Sequence, residues 1–104
     1  MSVATCDLYE GTYYLLHGCE LETIEALKVD GRLLCRMTFS GLELAHLQVT
    51  YLQGSAEANL FRFRRAYSQL SSAVLKAKRK AQNRLKNGEG IPVLDQDGPT
   101  RGIR

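Results

Sequence analysis

The feature that most constrains the fold is a segment, residues 55–87, that contains neither proline nor glycine. Its apolar residues recur at alternating steps of three and four, which places them along one face of an α-helix. They are Leu60, Phe63, Tyr67, Leu70 and Val74, and Ala77 and Ala81 continue the row. Ser55 is the predicted N-cap, and Asn87 followed by Gly88 is the predicted end. The pattern therefore predicts one long helix over residues 55–87.

A helix of this length spans about 48 Å, whereas a strand of about seven to nine residues covers only about 25–30 Å. We therefore expect the helix to pack on a sheet up to about Leu75, with its basic end projecting beyond that sheet. An alternative remains open at the start, because residues 61–64 alternate apolar and cationic side chains as a strand does. In that case the helix would begin near Arg65.

Two segments before the helix have the character of strands. Residues 8–16 are rich in aromatic and apolar side chains with high strand propensity, and Gly11 among them predicts a β-bulge. Residues 42–52 alternate in polarity, which also predicts a strand. The apolar side of that strand would carry Leu47, Val49 and Tyr51. Residues 1–6 are predicted to be a loose lead.

Between these segments, Asp30-Gly31 separates two apolar runs, which predicts a hairpin over residues 23–39 with a tight type I′ turn. A two-residue loop pairs Val29 with Arg32, Leu27 with Leu34, Glu25 with Arg36 and Ile24 with Met37. The opposite charges of Glu25 and Arg36 support this register. The predicted core face carries Ile24, Ala26, Leu33, Cys35, Met37 and Phe39. A helix over residues 20–28 is the competing interpretation.

Together these elements predict an α+β fold: a four-stranded antiparallel sheet (a meander) followed by one long C-terminal helix packed on one face. Residues 1–87 form the single predicted domain, and residues 88–104, with several glycines and prolines, form a flexible tail. One helix covers only part of such a sheet, and Leu27, Val29 and Leu34 point to the opposite face. We therefore expect a homodimer that covers this apolar surface.

Composition excludes several classes of protein. The chain contains no run of about 18 apolar residues, so neither a membrane span nor a membrane partner is expected. Asp7 occurs early, and no basic region precedes an apolar one, which argues against a secretory signal. The three cysteines, Cys6, Cys19 and Cys35, lack motif spacing. An odd number of this kind is typical of reduced thiols, so the expected localisation is cytoplasmic.

No motif predicts catalysis. His17 and His46 could accompany Cys19 and Cys35 as metal ligands or as bases for a nucleophilic thiol, but close-spaced pairs and a third orienting group are missing. The glycines follow neither standard phosphate-loop pattern. We therefore expect no cofactor and no metal, and the sequence favours a protein that is not an enzyme.

The net charge of +3 conceals an uneven distribution. Residues 1–54 hold three Lys/Arg and seven Asp/Glu, a net charge of −4, whereas residues 55–104 hold eleven and four, a net charge of +7. Such asymmetry is typical of proteins that bind a polyanion. It is equally compatible with a basic helix that complements an acidic sheet, within the monomer or across a dimer.

The main hypothesis is a small nucleic-acid-binding protein whose basic C-terminal helix makes sequence-independent phosphate contacts. The expected contact residues are Arg62, Arg64, Arg65, Lys76, Lys78, Arg79, Lys80, Arg84 and Lys86. Tyrosines placed on the sheet would be available to stack on bases, namely Tyr9, Tyr13, Tyr14 and Tyr51. The alternative is a protein–protein interaction or oligomerisation module without catalysis, whose helix docks an acidic or apolar partner.

Overall fold

A computed structural model describes residues 1–88 and 90. The elements in chain order are β1 (Ser2–Thr5), α1 (Leu8–Leu16), β2 (Glu20–Val29), β3 (Arg32–Ser40), α2 (Leu44–Leu52) and α3 (Leu60–Lys86). The strands form one antiparallel sheet in the order β1-β3-β2. The fold is therefore α+β, but the predicted four-stranded meander with a single C-terminal helix is wrong. The predicted tail, residues 88–104, lies outside the described residues apart from Gly88 and Gly90.

The hairpin of β2 and β3 has the predicted turn and register. Asp30 and Gly31 have φ angles of 51° and 77°, as a type I′ turn requires. Leu27 pairs with Leu34, and all the other predicted pairs are also confirmed. Residues 20–28 are a strand, so the competing helix is wrong.

The core face of the hairpin is largely as predicted. Cys35, Met37 and Phe39 are buried, and Ile24 and Ala26 pack against them. The opposite face differs from the expectation, since Leu27 is only 3% exposed and Val29 and Leu34 are half-buried. Less apolar surface is therefore exposed on this face than the homodimer expectation assumed.

Residues 1–6 are not the predicted loose lead. Ser2–Thr5 forms β1, which pairs with the central strand β3 so that Val3 lies opposite Phe39 and Thr5 opposite Met37. Val3 and Thr5 are both buried, because directly opposed residues share a face of the sheet. The first strand thus completes the core layer over which the helices pack.

Residues 8–16 form α1 and not the predicted strand. Asp7 is the N-cap, and its Oδ1 accepts a hydrogen bond from the backbone N–H of Tyr9 at 2.9 Å, which satisfies a free donor of the first turn. Tyr13 and Tyr14 are buried, so α1 is covered on several sides. A helix that is buried on several sides has few polar residues to reveal its 3.6-residue period. The strand was predicted because Thr12, Tyr13 and Tyr14 have high strand propensity.

Gly11 lies at the contact between α1, β3 and α3, and not in a bulge. A Cβ atom added there would be 2.9 Å from Cζ of Phe39 and 3.0 Å from Cδ2 of Leu70. Interiors are packed too densely to absorb such an overlap without movement. The missing side chain of Gly11 therefore allows the three elements to approach one another.

The last predicted strand, residues 42–52, is also wrong, because this segment contains α2. Leu44 and Leu47 are buried, and Tyr51 packs against the core, which is the spacing of one helical face. Val49, assigned to the same side as Leu47 and Tyr51, is 51% exposed. Polar and apolar residues do alternate in this segment, but Leu44, Leu47 and Tyr51 also follow the three- and four-residue spacing of a helix.

The long helix α3 confirms the predicted period and corrects the predicted start. It begins at Leu60, and Oδ1 of Asn59 accepts from the backbone N–H of Arg62 at 3.1 Å. Ser55 is therefore not the N-cap, and the strand alternative for residues 61–64 is also wrong. The end is as predicted, with Asn87 as C-cap and Gly88 in the left-handed region at a φ of 80°.

The basic half of α3 does not simply project beyond the sheet, as the length argument predicted. Leu70, Val74 and Ala81 are all buried, and Ala81 is only 3% exposed. Lys80 and Arg84 flank Ala81 beside Ile24 of β2. Because the hairpin is long, α3 lies along it with one face buried and the other in solvent.

Candidate functional site

The nine predicted phosphate-contacting residues all lie on α3, which contains no acidic residue. They are Arg62, Arg64, Arg65, Lys76, Lys78, Arg79, Lys80, Arg84 and Lys86. Every one is exposed except Lys78, which is half-buried. The structure therefore brings these cations together on a single element.

Four of these cations form a stripe along the solvent side of α3, which we call the basic stripe. They are Arg62, Arg65, Lys76 and Lys80. At about 100° per residue, the four lie within about 60° of one another around the helix and extend over about 27 Å. The buried row of Leu70, Val74 and Ala81 lies about 130° away. The basic stripe thus faces solvent along most of the helix.

The cations of α3 have no carboxylate partner in the part of the chain that the structure describes. Within residues 1–88 and 90, the single ion pair joins Nη2 of Arg36 to Oε1 of Glu25 at 2.9 Å, across the hairpin. Lys76 and Lys80 are instead like charges one helical turn apart, which destabilises a helix. Glu25 of β2 lines the same shallow pocket as Lys80 and Arg84, but its ion pair among these residues is with Arg36.

The predicted stacking tyrosines do not lie on the sheet. Tyr13 and Tyr14 belong to α1 and are buried. Tyr51 belongs to α2, and its hydroxyl donates a hydrogen bond to Oδ2 of Asp7 at 2.8 Å. Tyr9, also on α1, is 58% exposed. Of these four, Tyr9 alone presents most of its side chain to solvent.

Tyr9 forms a cluster with Phe63 and Tyr67 of α3, which we call the aromatic platform. The ring centroids are 6.2 Å apart for Tyr9–Phe63, 5.4 Å for Tyr9–Tyr67 and 6.4 Å for Phe63–Tyr67. These near-equal distances exclude a column of three rings, in which the outer pair would lie about twice as far apart as neighbours. The ring planes differ by only 16° to 20°. The three ring faces therefore share about the same direction.

The aromatic platform lines an open groove of about 540 Å³. The other lining residues among those that the structure describes are Arg64, Ser68, Ser71, Ser72 and Leu75, and none of these carries a carboxylate. The Oγ atom of Ser71 is buried and has no hydrogen-bond partner in the described part of the chain. The groove thus combines an aromatic surface with a guanidinium and hydroxyl groups.

Sequence reasoning assigned Phe63 and Tyr67 to the core row and did not find this groove. Their spacing of one helical turn indicated a shared face, but their contact with Tyr9 depends on residues 8–16 being a helix. The sequence did contain one signal for an aromatic surface. In the apolar row of α3, the aromatic residues Phe63 and Tyr67 lie near the start of the helix, whereas the alanines lie near its end.

A second cluster of polar groups, between β1 and α1, is structural. Glu10 is 1% exposed, and its Oε1 accepts a hydrogen bond from Oγ1 of Thr5 at 3.0 Å. Its Oε2 accepts from the hydroxyl of Tyr14, which is also buried. A buried carboxyl group is tolerated only with such partners, so these bonds tie the first strand to the first helix.

Replacing Tyr14 by phenylalanine is expected to lower the free energy of unfolding by about 1–3 kcal/mol, because a buried carboxyl group loses a hydrogen-bond donor. Urea unfolding followed by circular dichroism measures the change. Tyr9→Phe is the matched control, since the exposed Tyr9 hydroxyl should matter by less than about 0.5 kcal/mol. Equal stability of the two variants would contradict the structural role of the Glu10 cluster.

The thiols are poorly suited to nucleophilic chemistry. Burial raises the pKa of Cys6 to about 11, and it also raises the pKa of Cys19 and of Cys35. Because the thiolate is the reactive form, these directions disfavour a thiol nucleophile near neutral pH. Within the described residues, no group of three or more His, Cys, Asp or Glu side chains is placed to hold a metal ion.

No protein-family model, curated protein or solved structure matches this chain. Among the helices of the described chain, none has the combination of length and apolar character that crossing a membrane requires.

Proposed function

We propose that this protein binds nucleic acid through α3, with lysine and arginine side chains contacting phosphates independently of base sequence. The observation that carries the proposal is the concentration of nine cations and no acidic residue on one helix. These cations form no ion pair within the described residues. A phosphodiester backbone supplies the regularly repeated negative charge that such a surface lacks.

The basic stripe suits a sequence-independent contact for two reasons. It extends over about 27 Å, long enough to meet several successive phosphates of one strand. Its side chains are exposed and long, so they reach phosphates without a fixed geometry. The three free cysteines are compatible with a reducing compartment, and we place this activity in the cytoplasm.

Reversing two charges of the basic stripe, Lys76→Glu with Lys80→Glu, is expected to weaken binding to a labelled oligonucleotide at least about tenfold at low salt. The slope of log affinity against log salt should also fall by about two, because each lost phosphate contact removes about one released counterion. Fluorescence polarisation at several salt concentrations measures both quantities.

The matched control is Lys28→Glu with Arg32→Glu, at the exposed end of the hairpin. Both double variants change the net charge by the same amount, so a general field effect would weaken binding equally in both. The proposal requires that the hairpin variant keep most of its affinity and its salt slope. Absence of binding by the unmodified protein, or equal losses in the two variants, would overturn the proposal.

A second candidate is docking of an acidic or apolar protein partner, including another copy of this chain. The observation in its favour is the exposure of Leu60 and Phe61 at the start of α3, since contiguous exposed apolar side chains often mark interaction surfaces. The apolar version of this candidate differs from nucleic-acid binding in its response to salt. Apolar docking persists as ionic strength rises, whereas phosphate contacts weaken steeply.

A further inference from the structure

We infer that the aromatic platform of Tyr9, Phe63 and Tyr67 stacks on unpaired bases, and that the ligand of α3 is therefore a single-stranded nucleic acid. This inference rests on the nucleic-acid-binding function proposed above. It goes further, because phosphate contacts alone do not distinguish single strands from duplexes.

The shape of the aromatic platform matches a base. Its three ring planes lie within 20° of one another in offset stacked pairs, so the ring faces are nearly parallel, as stacking on a base requires. Tyr9 is 58% exposed, and the groove beside the rings has a volume of about 540 Å³. In a duplex the base faces are covered by their neighbours, so only a single strand offers them for stacking.

The charges around the groove favour the same ligand. Arg64 lines the groove, and no carboxylate of residues 1–88 does. Lys78 and Arg79 continue along that side of α3, within about 60° of Arg64 around the helix and about 21–23 Å further along it. A strand with one base on the platform would meet Arg64 at once and would reach Lys78 and Arg79 several nucleotides further on. Aromatic rings beside cations are the combination typical of single-strand binders.

A second copy of the chain fits the groove less well. In a two-fold symmetric dimer the same patch of both copies meets itself, which would bring the Arg64 side chains and the neighbouring cations of two α3 helices together. Like charges in an interface carry a large electrostatic cost. A single strand removes that repulsion, because its phosphates oppose the cations.

The test compares three labelled ligands of equal length: a thymidine oligonucleotide, the same backbone without bases, and a duplex. Fluorescence polarisation with the full chain gives each dissociation constant. The unmodified protein is expected to bind the strand with bases about 5- to 150-fold more tightly than the strand without them, since each stacked base contributes that much. The duplex should bind more weakly than the single strand at the same salt concentration.

Variants at Tyr9 and Tyr67 separate stacking from other roles. Tyr9→Leu and Tyr67→Leu should bring the affinity for the strand with bases close to that for the abasic strand, whereas Tyr9→Phe should keep the difference. Affinity for the abasic strand should not change in any of the three. Because a fold defect would lower both affinities together, this ratio isolates the contact with the base.

The outcomes distinguish the inference from the function on which it rests. If the unmodified protein binds none of the three ligands, the nucleic-acid function itself is wrong. If it binds all three equally and Tyr9→Leu changes nothing, phosphate binding stands and the stacking inference is wrong. If sedimentation shows a dimer that Tyr9→Leu converts to a monomer, the groove is an interface between copies and the inference is overturned.

Discussion

Replacing Leu70 by glutamate is expected to unfold the protein. Leu70 is 2% exposed in the middle of α3, and its Cδ2 would lie 3.0 Å from a Cβ atom added at Gly11. Leu70 belongs to the hydrophobic core, and burying a carboxylate among apolar side chains is strongly unfavourable. We expect a loss of at least about 4 kcal/mol, comparable with the whole stability of a small domain.

Leu75→Glu on the same helix is the matched control. Leu75 is 49% exposed, so the same substitution should change the free energy of unfolding by less than about 0.5 kcal/mol. Urea unfolding and far-ultraviolet circular dichroism measure both variants. A folded Leu70→Glu protein, or equal losses in the two, would show that α3 does not pack as described. Because Leu70 lies in the core, this substitution tests the fold and not assembly through the helix.

Replacing Phe39 by alanine is expected to cost about 3–5 kcal/mol of unfolding free energy. Phe39 is fully buried on the central strand, and its ring lies edge-on to that of Tyr14, with centroids 5.6 Å apart. The substitution removes this contact and leaves a cavity between the sheet and α1. Phe61→Ala is the control, since Phe61 is 68% exposed and its loss should be small.

Combining Phe39→Ala with Gly11→Ala tests the contact between these two residues. In the unmodified protein Gly11→Ala should destabilise, because its Cβ would meet Cζ of Phe39 at 2.9 Å, and overpacking of this kind costs about 1–3 kcal/mol. In the Phe39→Ala background the same methyl group enters the cavity, and alanine is favoured over glycine in a helix by about 1 kcal/mol. Gly11→Ala should therefore be clearly less destabilising in this background, where only the contact with Cδ2 of Leu70 at 3.0 Å remains. An unchanged effect would show that the two residues are not in contact.

The candidate site was predictable only in part. The cations could be assigned to one helix from sequence because the segment that forms α3 is long and periodic. The absence of acidic residues from that segment is also visible in the sequence itself. The tyrosines could not be assigned, because their exposure depends on which element carries them. Tyr13 and Tyr14 became core residues of α1, whereas Tyr9, on the same helix, met Phe63 and Tyr67.

Two features of this protein follow from sequence alone, because their causes are local. Asp30-Gly31 adopts the backbone angles of a type I′ turn, and a two-residue loop leaves one register for the hairpin. The apolar row of α3 continues for several turns. Over that length the helical spacing is recognisable even if single positions deviate from it.

Tertiary structure decided the identity of α1 and α2. Both helices have nine residues, too few to be stable in isolation, so local propensity does not determine their conformation. The buried apolar face of α2 and the close contact at Gly11 stabilise them as helices. The same packing places Tyr9 beside Phe63 and Tyr67, residues far apart in the chain, and so creates the groove. Such contacts depend on the whole fold, so the local pattern of the sequence does not determine them.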